Sequence, residues 1–345
     1  MRSFSSIALL IAFSLFSITA MAQQPYFGVK SLKYQDDISF PVFEGKTNAK
    51  AVNRINRLLQ ISELRSVDGY YKSSVFEGVI DLEDAEFNYY YGIDFEVQHN
   101  TPQLLSVRFS LNSCGATCYY WTTCYNFNAQ TGEPIQLGDL LTAEGLENIS
   151  NKAATRWKAR VDDALKTQDE LDADAAATIG ECLEDTDMML ESFYVQGNDL
   201  IIDAENCLPK FAKFMDIDTA IRISVKELTP FLSDYGKSIF GIGSKPVSGF
   251  TSEYLLKELQ VYGNKSKDVF LGLVTTTNGT VGYYANKKAG IYAYGESENN
   301  TGLVLGVDND GGRIGSITID LEGNNATVVY EDANGKKMPV LLVKD

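Results

Sequence analysis

Leu104–Leu141, LLSVRFSLNSCGATCYYWTTCYNFNAQTGEPIQLGDLL, is the stretch that decides the fold. Leu104–Leu111 alternates apolar with polar residues, which is the period of a half-buried strand, and Tyr119–Phe127 continues it. Asn128-Ala129-Gln130-Thr131-Gly132 is a turn signal that folds the chain back onto Pro134-Ile135-Gln136-Leu137. Gly138-Asp139-Leu140-Leu141 then leads into a helical region. An antiparallel sheet flanked by helices is the architecture this pattern predicts.

Working outward, Ile38–Phe43 reads as a strand with an edge proline, Pro41, and Asn48–Ile61 as a helix. Asn48 is the candidate N-cap, and Val52, Ile55, Leu58, Leu59 and Ile61 recur near helical spacing as its core stripe. Phe87–Val97 predicts another alternating strand. Downstream, Leu146, Ile149, Ala153, Trp157 and Val161 mark a helix within Glu144–Leu165, and a second, acidic helix covers roughly Asp174–Met189. Phe193–Val195 and Leu200–Ile202 form a hairpin about Gly197-Asn198-Asp199, and Ile221–Val225 is a strand that turns into a short helix.

A stretch rich in Gly, Ser and Pro, Gly241–Gly249, predicts a linker. Beyond it, short strands at Val269–Leu273, Thr280–Tyr284, Gly290–Tyr294, Gly302–Leu305, Ile314–Ile319, Ala326–Tyr330 and Met338–Val343 alternate with Asn- and Gly-rich turns. That spacing predicts up-and-down antiparallel pairing in a curled sheet or small barrel. The expected class is therefore α+β. A signal peptide takes residues 1–22, an α+β module 23–240, a linker 241–249 and an all-β module 250–345.

The signal peptide rests on Arg2, the apolar run Ile7–Ile18 and the small-x-small pattern Ala20-Met21-Ala22. The run is short for a membrane span, which takes about 20 apolar residues, and no other stretch reaches that length. A periplasmic or secreted location without a membrane span is expected. The formal net charge of −16 excludes a nucleic-acid partner, whose phosphates need a basic surface, and disfavours anionic lipid. It favours cations and basic proteins, or simply solubility. Of the five cysteines, Cys114, Cys118 and Cys124 cluster, while Cys182 and Cys207 lie downstream. In an oxidising compartment the simplest pairing is Cys182–Cys207 plus one bridge inside the cluster; the odd count leaves one thiol over or one intermolecular bridge.

Catalytic signals are sparse. The single histidine, His99, falls in a polar turn, Gln98–Pro102, and reads as a surface residue; with one His, HExxH and multi-histidine zinc sites are excluded. No nucleophile elbow, P-loop or dinucleotide fingerprint is present. No Lys or Arg lies between Cys114 and Cys124 to activate a thiol, so structural pairing is favoured there. Acidic pairs such as Glu184-Asp185 are expected by chance at this composition, and Asp308–Gly312 departs from a calcium loop at its sixth and twelfth places, Arg313 and Ile319. No cofactor or metal is expected. The candidate binding residues are aromatic: Tyr90 within Tyr89–Tyr91, together with Tyr119, Tyr120, Trp121 and Tyr125, on neighbouring strands. Outward-facing members would offer a platform to a sugar or a protein; inward-facing ones would pack.

The first module resembles the extracellular domain of the RsiV-type anti-sigma factors, also an accessory domain of PdaC-type peptidoglycan deacetylases. Ile38-Ser39-Phe40-Pro41 with Ile55-Asn56-Arg57-Leu58-Leu59 is similar to the family's opening strand and helix, and Leu104–Val107 to its central strand. Tyr125–Leu141 carries the strongest similarity, a strand, a "TG" turn, a strand and a helix start. Phe193–Asp203 and Ile221–Leu228 fit the closing elements. Where the family has a Gly-Gly-Ala-His turn, this chain has Cys114-Gly115-Ala116-Thr117, so any role of that histidine does not carry over. The second module resembles small repetitive β-domains of envelope proteins from Bacteroidetes-like bacteria, through Val281–Tyr284, Lys288–Ile291, Thr301–Leu303 and Gly312–Gly315. The resemblance implies a non-catalytic envelope binding or sensing protein. Its partner would be a basic protein such as lysozyme, which the anti-sigma members receive, or a peptidoglycan fragment. A carboxylate-dependent enzyme acting on cell-wall glycan and a structural assembly protein are the two alternatives.

Overall fold

The computed structural model describes residues 25–34, 36–45, 48–71, 74–79, 92–114, 118–166, 173–182, 192–209, 212–213, 217–242, 256, 258–275, 279–289, 291–297, 303–309 and 312–345. The expected signal peptide, Tyr89–Tyr91 and all of the expected linker beyond Ile242 lie outside them. The protein is α+β; among the described residues there are three sheets, and the helices lie in the N-terminal part.

The first sheet has five strands in the order β1 (Gly28–Tyr34), β2 (Ile38–Glu44), β3 (Gly92–Asn100), β4 (Leu104–Cys114) and β5 (Cys118–Asn128). β1, half polar and largely exposed, escapes the sequence reading because it has no apolar face of its own. β2 is flanked by β1 and β3, but its pairing with β3 is confined to Ile38 opposite Ile93. Pro41 therefore sits where only β1 pairs, a position that tolerates its missing N–H. The turn predicted to hold His99 begins two residues later: His99 pairs with Ser106 inside the β3–β4 ladder, beside a bulge. It is half-buried, and burial pushes its pKa down.

One face of this sheet lies under α1 (Ala49–Leu64). Asn48 caps the helix as expected, accepting from the Ala51 amide at 3.4 Å. Ile55, Leu58, Leu59 and Leu64 meet Phe40, Ile93, Val107, Phe109, Leu111 and Phe127 in one buried cluster. Full burial of each such side chain contributes about 1.5–3 kcal/mol. The TG turn after β5 docks on the start of α1. Gly132 has φ +72°, and a Cβ there would stand 2.7 Å from the Ala51 carbonyl oxygen, so both the conformation and the space require glycine. Arg54 pairs with Glu133 across the same contact.

The second sheet is β6 (Phe193–Gln196), β7 (Asp199–Asp203) and β8 (Ala220–Ser224). α2 (Leu137–Leu140), α3 (Ala143–Leu165) and α4 (Ala173–Glu181) enclose a second core with it, in which Trp157 is fully buried and donates from Nε1 to the Ile179 carbonyl at 2.6 Å. The expected acidic helix is described only as far as Glu181. The disulfide Cys182–Cys207 ties the end of α4 to the turn after β7, and Cys114–Cys118 closes the β4–β5 tip. Cys124 is the thiol left over.

The C-terminal strands β9 (Glu258–Gly263), β10 (Val269–Thr275), β11 (Thr280–Asn286), β12 (Ile291–Ser297), β13 (Leu303–Asn309), β14 (Gly312–Glu322), β15 (Asn325–Asp332) and β16 (Lys337–Lys344) close into an up-and-down barrel. The sequence reading anticipates seven of these; β9 closes the ring by pairing with both β10 and β16. Tyr262, Leu271, Tyr284, Ile317, Val328 and Leu342 are buried together in one cluster of the barrel. Its outer wall is covered where it meets the first module. Ile61, Val67 and Tyr70 pack on Val261, Phe270, Tyr283 and Ala285. A Cβ at Gly263 would lie 2.0 Å from the Tyr70 ring, so the ring rests directly on the strand backbone. Lys287–Glu77 at 3.0 Å, largely buried, and Arg57–Asp345 at 3.1 Å flank this contact.

Candidate functional site

The face of β3–β5 opposite α1 carries even-numbered residues, because successive side chains alternate across a sheet. The register places Gly92, Asn112 and Tyr120 in one row, Asp94, Ser110 and Thr122 in the next, and Glu96, Arg108 and Cys124 in a third. The far end of this face is covered by β6 and β7. The near end is open.

Under the cover Ser106, Arg108, Asn126 and Asp203 are paired. Ser106 Oγ accepts from the Val195 amide at 3.0 Å and bonds Asn126, whose amide donates to the Phe193 carbonyl at 2.8 Å. Arg108 Nε donates to Asp203 Oδ2 at 2.5 Å, and that carboxylate is 2% exposed. Burial works against the Arg108 charge, but the Asp203 carboxylate outweighs it and the pKa rises. The Cys124 thiol lies 3.9 Å from the same oxygen. Burial first, and then Asp203, push its pKa well up. It stays a protonated thiol at neutral pH, the opposite of what a nucleophile needs. Tyr194 beside it is raised to about 12 by burial and the same carboxylate.

At the uncovered end lies a cavity of about 550 Å³. Arg108, Ser110, Asn112 and Thr122 line it from the sheet, Asp94 and Asp37 from the β2–β3 side, and Tyr120 and Glu205 from the opposite side. Asp94 Oδ1 accepts from Ser39 Oγ at 2.7 Å and from its neighbour's amide at 2.9 Å. Glu205 is carried on the turn held by Cys207 and pairs with Lys213 at 3.5 Å. Asn206 from that turn grips the β5 edge, accepting from the Thr122 amide at 2.9 Å and donating to its carbonyl at 2.8 Å. Thr122 is 6% exposed, and its hydroxyl has no hydrogen-bond partner. The volume falls in the range of small-ligand pockets, and the lining suits a hydroxylated ligand.

The aromatic candidates do not form one platform. Tyr120 is 50% exposed and lines the cavity. Trp121 also contributes to the cavity lining and stacks on Tyr119 at 5.4 Å between centroids, with Lys213 over the Tyr119 ring at 5.6 Å. Tyr125 is a packing residue: its ring meets Phe109 and Phe127, and its hydroxyl donates to Glu63 Oε1 at 2.6 Å. Tyr90 is outside the described residues. The sequence reading missed Asp37, Asp94, Arg108, Ser110, Asn112, Thr122 and Glu205. The alternating polar places Arg108, Ser110 and Asn112 were a signal available in β4. Asp37 and Glu205 come from distant turns and left none. Among the described residues, no group of three or more His, Cys, Asp or Glu is placed to hold a metal ion, and no helix is long and apolar enough to cross a membrane.

No family model matches the chain, and no curated protein matches it. Among solved structures it is similar to the crystal structure of a DUF3298 family member from Bacteroides fragilis. The identity is 18%, the TM-score 0.39, and the match covers 64% of this chain and 99% of that one.

Proposed function

We propose that this chain is a non-catalytic cell-envelope binding protein that takes a peptidoglycan-type glycan fragment into the cavity at the end of β3–β5. The observation that carries the reading is the cavity itself: a concave, polar, aromatic-edged space on the sheet, beside a region of the same face where Ser106 and Arg108 are paired within the protein. Such a space suits a small hydroxylated ligand better than the flat surface of a protein partner. The sequence resemblance to the RsiV-type and PdaC-type domains and the signal-peptide pattern support an extracytoplasmic setting. The two disulfides agree with it.

A second reading, a glycan hydrolase, draws on Asp37, Asp94 and Glu205 lining the same cavity. Against it, Asp94 and Glu205 are both engaged as acceptors, whereas a general acid must hold a proton to donate. Calorimetric titration with soluble disaccharide-peptide fragments and with lysozyme, at low salt, tests the proposal. Fragment binding that Tyr120→Ala weakens is the expected result. Binding to lysozyme alone, or release of reducing sugar from glycan strands, would overturn it.

A further inference from the structure

Charges around the cavity are unevenly matched. Arg108 is engaged by Asp203, and Lys213 by Glu205. Asp37 and Asp94 have no ion-pair partner among the described residues, and both are exposed at the cavity rim. Opposite them stands the half-exposed Tyr120 ring. The sheet between offers the neutral groups Ser110 and Asn112, while the Thr122 hydroxyl lies buried behind them without a partner.

We infer that the cavity, on the reading proposed above, selects a sugar bearing a free, protonated amino group: a de-N-acetylated amino sugar in place of its N-acetylated form. Each part of the lining matches one part of that ligand. Asp37 and Asp94 face the ammonium group, which donates three hydrogen bonds to anionic acceptors and gains charge-assisted strength from them. The ring of Tyr120 presents an apolar face to the sugar's C–H face. Ser110 and Asn112 supply donors and acceptors for ring hydroxyls. An N-acetyl group would cancel the positive charge and leave both carboxylates facing a neutral amide. A lysine side chain of a basic protein shares the ammonium, but its alkyl stem makes no hydrogen bond to the cavity's Ser110 and Asn112, which costs affinity.

The test compares the glucosamine tetramer with the N-acetylglucosamine tetramer by titration calorimetry on the full mature chain. All three probes are compared at one pH, about 5.5. A lysine-rich peptide of equal charge is the third probe. The expected result is binding of the free-amine tetramer about tenfold tighter than the acetylated one, the size of one charge-assisted hydrogen bond. Asp37→Asn with Asp94→Asn should erase the difference while retaining the weaker, shared affinity. Both sites are exposed, so these variants should fold, and a matching thermal melt verifies it. Tyr120→Ala, which keeps both carboxylates, should weaken the two tetramers alike. Equal or tighter binding of the acetylated tetramer overturns the amine preference while leaving the glycan site standing. Binding of neither tetramer overturns both. Binding of the peptide alone assigns the cavity to a basic protein and also overturns the inference.

Discussion

The even-numbered face of β3–β5 is finished in two different ways. At one end, β6 and β7 lie on it, and Ser106, Arg108, Asn126 and Asp203 meet partners at hydrogen-bond distance. At the other end the same strands run on with the same polar alternation, yet Asp94, Ser110, Asn112 and Tyr120 open on a cavity. One sheet face thus serves as an internal contact at one end and opens on a cavity at the other. Buried polar groups are retained only where they are paired. The covered end satisfies that condition within the protein, and the open end leaves it to solvent or a ligand.

The largest expected effect lies under the cover. Asp203→Ala leaves the partly buried Arg108 guanidinium without its carboxylate, and should cost up to about 3–5 kcal/mol in urea unfolding. A loss below about 1 kcal/mol would show that this end is not the closed network described. Next, replacing Cys182 and Cys207 together by alanine releases a bridge of sequence separation 25, which should cost about 3 kcal/mol and loosen the turn carrying Glu205 and Asn206. The same change at Cys114 and Cys118, separation 4, should cost less, because the loop it closes is shorter.

A smaller effect comes with acid. Hydrogen bonds from Lys152, Ser224 and Arg156 hold the Glu227 carboxyl down at about 2, and this group clamps α3 to the end of β8. A depressed carboxylate contributes stability that is present above its unfolded value, near 4.3, and is lost as pH falls through the folded one. Thermal melts should therefore fall from about pH 4.3 towards pH 2, and Glu227→Gln should flatten that part of the profile. The least effect on stability belongs to the open end: Tyr120→Ala and Ser110→Ala should stay within about 0.5 kcal/mol of the parent. If either destabilises as Asp203→Ala does, the two ends are alike and the comparison fails.

How much of this was legible in the sequence differs by element. α1, the β4–β5 hairpin, the TG turn and the hairpin at Gly197 announce themselves through period and turn chemistry, which are local. β1 and β9 do not, because their pairing is decided by strands distant in sequence and neither alternates strongly. The site was half legible. Tyr120 and Trp121, both legible as aromatic candidates, line the cavity, but the direction of each ring depends on the register, and Tyr119 is not among the lining residues. Asp37 and Glu205 reach the cavity only through tertiary folding, the latter on a turn held by Cys207 and Asn206.

The central claim is that the uncovered end of this face is a ligand site. Backbone amide shifts recorded with and without a soluble disaccharide-peptide fragment test it most directly. The account predicts perturbations concentrated at residues 92–94, 110–112 and 120–122, with the covered residues 106, 126 and 195 unmoved. Shifts clustered on the barrel wall, or none at saturating fragment, would contradict it.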